Sequence, residues 1–328
     1  MRILVASAPF AGLTSAQTGA ALARAWAEFG AQLAVVPIAE SGRGFSRAWA
    51  DLTDAIEHEW GTGLEVFTSS LGLAVRVLSE ATSLPDTPSA SREVGQRLAK
   101  VLNSAERAGL STRETWLEVD HASWADGGEG FWRALHEGVV PQADWQLHLV
   151  TTSAERELHL TGFRGITAAR WRVDGIHPGD MLAADQALVD WCTSIASPEL
   201  GTTLGSGALG GLGAAVLALG GDVVTGPGEC ARLAGIDETA SLADVVVAGY
   251  DLLEFGSKGG DVLPLLAAVA EGAGRPLVAV SRFNWISARE SRTMGVEQVF
   301  GLCGQPDVAP GEAELTELAV PVARTWCW

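Results

Sequence analysis

Residues 2–30 read RILVASAPFAGLTSAQTGAALARAWAEFG, and this stretch decides the fold class. Ile3 to Ala6 form a short apolar run closed by Ser7 and Pro9, so Arg2 to Ser7 reads as a buried strand. Thr14 or Ser15 can then cap a helix in which Leu22, Trp26 and Phe29 recur at i, i+4 and i+7, with Gly30 as its stop. One strand followed by one amphipathic helix is a βα unit. The next segments repeat it: Ala31 to Ile38 reads as a second buried strand and Phe45 to Trp60 as a second helix. The rhythm returns near the other end, where Asp244 to Gly249, Pro276 to Ser281 and Gln298 to Leu302 read as strands. Helical patterns at Gly260 to Glu271 and Trp285 to Thr293 separate them, and a final helix spans Glu312 to Leu318, ending before Pro321. Alternation of this kind predicts an α/β protein with a doubly wound parallel sheet.

The middle of the chain breaks the rhythm. Ser79 to Ser91 is rich in Ser, Thr and Pro and reads as a linker or loop, followed by a helical Arg92 to Arg107. Trp116 to Val119, Trp145 to Val150 and Glu157 to Leu160 resemble strands, the last two as a hairpin. Similar ends around a dissimilar middle predict a discontinuous Rossmann-like domain of residues 1–62 and 204–328, with a second α/β domain of residues 63–203 inserted into it.

Composition narrows the function. The 328 residues carry 40 acidic and 22 basic side chains, a formal charge of −18 that repels phosphate backbones and anionic membrane surfaces. Neither nucleic acid nor membrane is an expected partner. Leu204 to Gly221 is uncharged, but seven glycines favour a loop and a buried helix over a membrane span. Ile3 to Ala6 is too short for a secretory signal, so a cytoplasmic protein is expected. Cys192, Cys230, Cys303 and Cys327 form no CxxC pair and read as buried free thiols. The six histidines show no metal-binding spacing, and no GxSxG elbow is present. Twelve tryptophans without a basic groove indicate packing, and Trp326 and Trp328 are expected to dock on the body or on another subunit, as in a homo-oligomer.

Two glycine clusters carry the chemical signal. Trp124 to Gly130 reads WADGGEG between a strand and a helix, a setting in which backbone N–H groups can approach a phosphate or carboxylate. Asp126 would stand there as a general base or a Mg²⁺ ligand, or would simply cap the helix. Gly205 to Gly213 contains GxGxxG at Gly205, Gly207 and Gly210, but Ser197 to Thr203 before it has no strand character, which argues against a dinucleotide-binding dehydrogenase. It is either a phosphate-facing loop or a site of tight helix packing.

Taken in order, these segments resemble the bacterial type I glycerate kinase family. The family opens with A-P-D-S-F-K-G-S-L-S-A, and Ala6 to Ala16 reads A-S-A-P-F-A-G-L-T-S-A, matching at Phe10, Gly12, Ser15 and Ala16. Its A-D-G-G-E-G-T corresponds to Ala39 to Phe45, A-E-S-G-R-G-F. Its G-S-A-T-N-D-G-G-A-G lies on His121 to Gly130 and keeps Asp126, Gly127, Gly128 and Gly130. Its G-A-G-A-A-G-G-L-G-A fits Gly205 to Ala214, and D-L-V-I-T-G-E-G-R-x-D-x-Q-T lies on Asp244 to Ser257.

The resemblance implies a kinase that uses ATP and Mg²⁺ to phosphorylate glycerate or a similar small hydroxy acid. Asp126 would be the base or metal-positioning residue and Lys258 a catalytic cation. Arg43, Ser41, Glu254 and Ser257 would bind substrate, and Gly127, Gly128, Gly205, Gly207, Gly210 and Gly211 would approach phosphates. The family's charged positions, however, fall on Ala8, Ala11, Tyr250 and Leu252, and its asparagine on Ala125. Phosphoryl transfer depends on such groups, so the alternative is a degenerate relative that binds a small acid or nucleotide without turnover, or serves as an interaction subunit.

Overall fold

A computed structural model describes residues 1–78, 89–120, 126–138, 144–175 and 177–327. The chain begins with β1 (Arg2–Ser7), α1 (Ser15–Ala27), β2 (Gln32–Pro37) and α2 (Phe45–Thr53). It continues through β3 (Ile56–His58), β4 (Leu64–Thr68), β5 (Gly72–Val77), α3 (Ser89–Arg107), β6 (Glu114–Val119) and α4 (Glu129–Gly138). Next come β7 (Gln146–Thr151), α5 (Ser153–Arg156), α6 (Ile166–Asp174), α7 (Pro178–Ile195), a 3₁₀ turn (Pro198–Thr202), α8 (Ala208–Ala218) and β8 (Asp222–Thr225). The last part holds α9 (Gly226–Ala234), α10 (Ile236–Leu242), β9 (Val245–Leu253), α11 (Val262–Ala273), β10 (Leu277–Asn284), α12 (Ala288–Thr293), β11 (Gln298–Gly301) and α13 (Glu312–Trp326).

These elements fall into two units, Met1–Leu52 with Gly226–Trp328, and Thr53–Thr225. The sequence boundaries at 62/63 and 203/204 differ from these, and the glycine cluster at 205–213 lies in the second unit because α8 packs on β7 and β8. In the first unit five parallel strands run in the order β11-β10-β9-β1-β2. Ile3, Leu4 and Val5 are buried on both faces of β1, as a central parallel strand requires, and so the strand reads as an unbroken apolar run. Thr14 caps α1 through a reciprocal box with Gln17, which satisfies two of the helix's first N–H groups.

The helix expected to stop at Leu318 runs on to Trp326 with Pro321 inside it. An internal proline costs about 3 kcal/mol in an isolated helix. Here Leu315, Ala319, Val322 and Ala323 are buried in the cluster that holds Leu22, Ala25 and Trp26, and Thr316 Oγ1 donates to the Ala21 carbonyl at 2.9 Å. Tertiary burial outweighs the local penalty. Trp326 packs against this same cluster, while Trp328 lies outside the described residues.

In the second unit the sheet order is β3-β4-β5-β6-β7-β8, antiparallel up to β5 and parallel from β5 to β8. Two expectations change here, and a third falls mostly outside the described residues. The helix from Phe45 ends at Thr53, where Asp54 turns with φ 51° into β3. Glu157 to Leu160 is no strand, because β7 takes β8 as its parallel neighbour. The linker expected at Ser79 to Ser91 lies outside the described residues up to position 88, and Ser91 belongs to α3. Helices α3 and α4 pack on each other, and α4 packs on α8. Cys192 and Cys230 are buried thiols, whereas Cys303 and Cys327 are partly exposed; all four are free. No described helix is long and apolar enough to cross a membrane.

Candidate functional site

In the first sheet the chain steps outward from β1 to β2 in one direction and from β9 to β11 in the other. Loops leaving the carboxyl ends of the strands must therefore diverge between β1 and β9, and the crevice they open is where such sheets take ligands. A cavity of about 370 Å³ lies there. Ala8 and Pro9 line it from the loop after β1, and Glu40 and Arg43 from the loop after β2. Tyr250, Asp251 and Leu252 project from the end of β9, with Glu254 and Ser257 just beyond.

Three of its four charged lining residues, Glu40, Arg43 and Asp251, are paired. Glu40 is buried, and its Oε1 accepts the Asp261 N–H at 2.7 Å while its Oε2 stands 3.5 Å from Arg43 Nη1. The same Nη1 donates to the Tyr250 hydroxyl at 3.4 Å. Burial, followed by the neighbouring Glu40 carboxylate, pushes the Tyr250 phenol up to about 12. Gly260 makes this cluster possible, since a Cβ there would fall 1.8 Å from Glu40 Oε1 and 2.7 Å from the Tyr250 oxygen. Asp251 accepts from Arg282 Nε at 2.6 Å and Nη2 at 3.1 Å, and also from the Ala11 N–H at 3.3 Å. Arg282 is only 5% exposed, and its Nη1 donates to the Pro306 and Val308 carbonyls. Hydrogen bonding to Asp251 is the first cause that holds its guanidinium above the usual arginine range.

The glycine clusters are in the second unit, and their backbones meet. A Cβ on Gly128 would lie 2.5 Å from the Gly211 carbonyl oxygen, and one on Gly211 would lie 2.2 Å from that of Gly127. Gly205 and Gly213 are pressed together likewise, with 1.8 Å between a Cβ on Gly213 and the Gly205 oxygen, and Gly207 abuts the His159 carbonyl. Leu209, Gly210 and Gly211 all have positive φ, so α8 opens through a left-handed kink, and the Leu209 N–H donates to Glu155 Oε2 at 2.7 Å. A carboxylate of the chain itself thus takes that N–H.

Asp126 caps α4. Its Oδ1 accepts the Gly128 N–H at 3.2 Å, and its Oδ2 accepts the Gly130 N–H at 2.8 Å together with the Ser91 hydroxyl. Ser91 Oγ in turn accepts the Phe131 N–H at 3.1 Å. Three of the roughly four acceptor positions of the carboxylate are therefore used locally. The 3₁₀ turn Pro198–Thr202, not a strand, precedes the GxGxxG, so the dinucleotide fingerprint has no context.

The glycerate kinase family matches residues 142–326, more than half of the chain. The chain belongs to the glycerate kinase family. No curated protein matches it. Among solved structures, a Salmonella typhimurium LT2 protein assigned as glycerate kinase 2 is similar, with a TM-score of 0.74 at 19% identity over 99% of this chain and 98% of that one. At that identity the likeness speaks for the fold.

Of the residues expected to serve a glycerate kinase, Arg43, Glu254 and Ser257 line the first-unit cavity. Ser41 sits in the same loop as Arg43, where a Cβ on Gly226 would come within 3.0 Å of its backbone nitrogen, but it is not a lining residue. Lys258 adopts φ 47°, is exposed and also does not line the cavity. In the second unit Gly127 and Gly128 are brought against Gly211. His121, Trp124 and Ala125 lie outside the described residues. Sequence reasoning passed over Asp251 and Arg282; the signal for the latter was a lone arginine closing the buried run Leu277 to Ser281.

In the first-unit cavity two of the three lining carboxylates are already paired. Glu40 and Asp251 are tied to arginines, which leaves Glu254 as the lining carboxylate without an ion pair among the described residues. Gly128, Gly207 and Gly211, expected to approach phosphates, are each packed against backbone on the side a Cβ would occupy. Ala8, Tyr250 and Leu252, where the family resemblance places charged groups, form much of the cavity wall.

Proposed function

We propose that this glycerate kinase family member binds a small hydroxylated molecule in the switch-point cavity and does not phosphorylate it. The supporting observation is that Arg43 and Arg282 are already balanced by Glu40 and Asp251. Phosphoryl transfer needs cations aimed at the moving group, and without them electrostatic stabilisation worth many powers of ten is lost. Asp126 then serves as a helix cap, and the Gly205, Gly207, Gly210 and Gly211 backbone serves packing.

One observation favours an active glycerate kinase: the Arg43 side chain is 70% exposed, so it can swing toward a bound phosphate. In that second reading Arg43 and Lys258 supply positive charge, Asp126 is the base or Mg²⁺ ligand, and Gly127, Gly128 and Gly205 to Gly211 approach ATP. Thermal unfolding with MgATP, MgADP and small polyhydroxy compounds separates the two, because a ligand at about 100 times its Kd adds roughly 2.7 kcal/mol. The expected result is a rise in Tm with a hydroxylated compound and none with nucleotide. Glycerate-dependent release of ADP that disappears in Asp126→Asn would overturn the proposal in favour of the kinase.

A further inference from the structure

We infer that the switch-point cavity selects an uncharged polyol or hydroxylated amide over a small carboxylate. The inference rests on the binding role proposed above and adds the class of ligand. Three carboxylates line the cavity, Glu40, Asp251 and Glu254, against one lining cation, Arg43. Arg43 is shared between Glu40 at 3.5 Å and the Tyr250 hydroxyl at 3.4 Å. Arg282, behind the wall, spends Nε and Nη2 on Asp251 and Nη1 on two backbone carbonyls, and its burial denies it to a ligand.

What remains is Glu254. It is exposed at the cavity edge and forms no ion pair among the described residues. An entering carboxylate meets that charge and finds no unbalanced cation among the lining residues, and like-charge juxtaposition of this kind is a strong element of discrimination. Hydroxyl and amide groups meet no such penalty. They can donate to Glu254 and exchange hydrogen bonds with Ser257. The volume of about 370 Å³ suits a small polar molecule.

Glycerate and glyceramide differ only in carboxylate against carboxamide, so isothermal titration of the full chain with both reads the selection directly. Glyceramide is expected to bind at least about tenfold more tightly than glycerate, and Glu254→Gln to reduce that ratio to about threefold or less with an unchanged Tm. Glycerate binding as tightly as glyceramide, in a protein that binds both, overturns the selectivity and leaves the binding role standing. Propionamide, which lacks the hydroxyls, binding as tightly as glyceramide overturns the polyol class. Absence of heat from all three compounds up to concentrations on the order of 10 mM overturns the selectivity and the binding role together.

Discussion

Glycine marks both units, for different reasons. In the second unit Gly127, Gly128 and Gly211 bring main chain against main chain, so any side chain at Gly128 or Gly211 strikes backbone that has no room to retreat. In the first, Gly260 yields space to the end of a side chain, the Glu40 carboxylate, which can rotate away. The difference teaches why the glycine clusters resemble the family more closely than the polar positions do. A backbone contact has one steric solution, whereas a cavity wall tolerates Ala8, Tyr250 or Leu252 in place of charge.

The largest effect should come from the backbone contact. Gly211→Ala places a Cβ 2.2 Å from the Gly127 oxygen at φ 105°, and is expected to cost about 3–4 kcal/mol, seen as a lower midpoint in urea unfolding. A cost near that of an ordinary surface glycine would break the comparison. Next, Arg282→Ala strands Asp251, whose side chain is 30% exposed, and should cost about 2–3 kcal/mol; adding Asp251→Asn should recover part of it.

The charge cluster in the first unit can also be read optically, because Tyr250 is the one tyrosine in the chain. Its phenolate absorbance should appear with a midpoint near 12 in the folded protein and near the ordinary value in denaturant. The folded state holds this proton more tightly than the unfolded chain, so its stabilising contribution is complete below about pH 10 and is lost as pH rises toward 12. Gly260→Ala sharpens the contrast with Gly211: it should cost only about 1–2 kcal/mol, since Glu40 can move, and should draw the Tyr250 midpoint downward as that carboxylate leaves. The smallest effect is that of Thr14→Ala, which removes one cap of α1 and should cost about 1 kcal/mol in the same urea measurement.

Local signals made much of this legible. The apolar run of β1, the Thr14 cap and the glycine clusters each act within a few residues, and they gave the α/β class and the family. What escaped is set by distant partners. Nothing near Pro321 announces that α1 will hold the helix through it, and nothing near Glu157 says that β7 pairs instead with Asp222–Thr225. The Arg282–Asp251 pair spans two strands, so neither residue identifies the other in sequence. Asp126 illustrates the remaining difficulty, since a carboxylate before glycines reads alike as cap and as catalyst until its hydrogen-bond partners are known.

The pairing of β1 with β9 has a consequence during synthesis. Ile3 lies beside Val245, whereas every strand of the second sheet pairs with its neighbour in the chain. On a ribosome adding about 5–20 residues per second, β1 and β2 leave the exit tunnel roughly 10–40 s before β9 can join them. Throughout that interval an apolar strand edge, Ile3 to Ala6, is without its central neighbour while the inserted sheet can already close strand by strand. Nascent chains halted before residue 245 should therefore be the ones that chaperones hold.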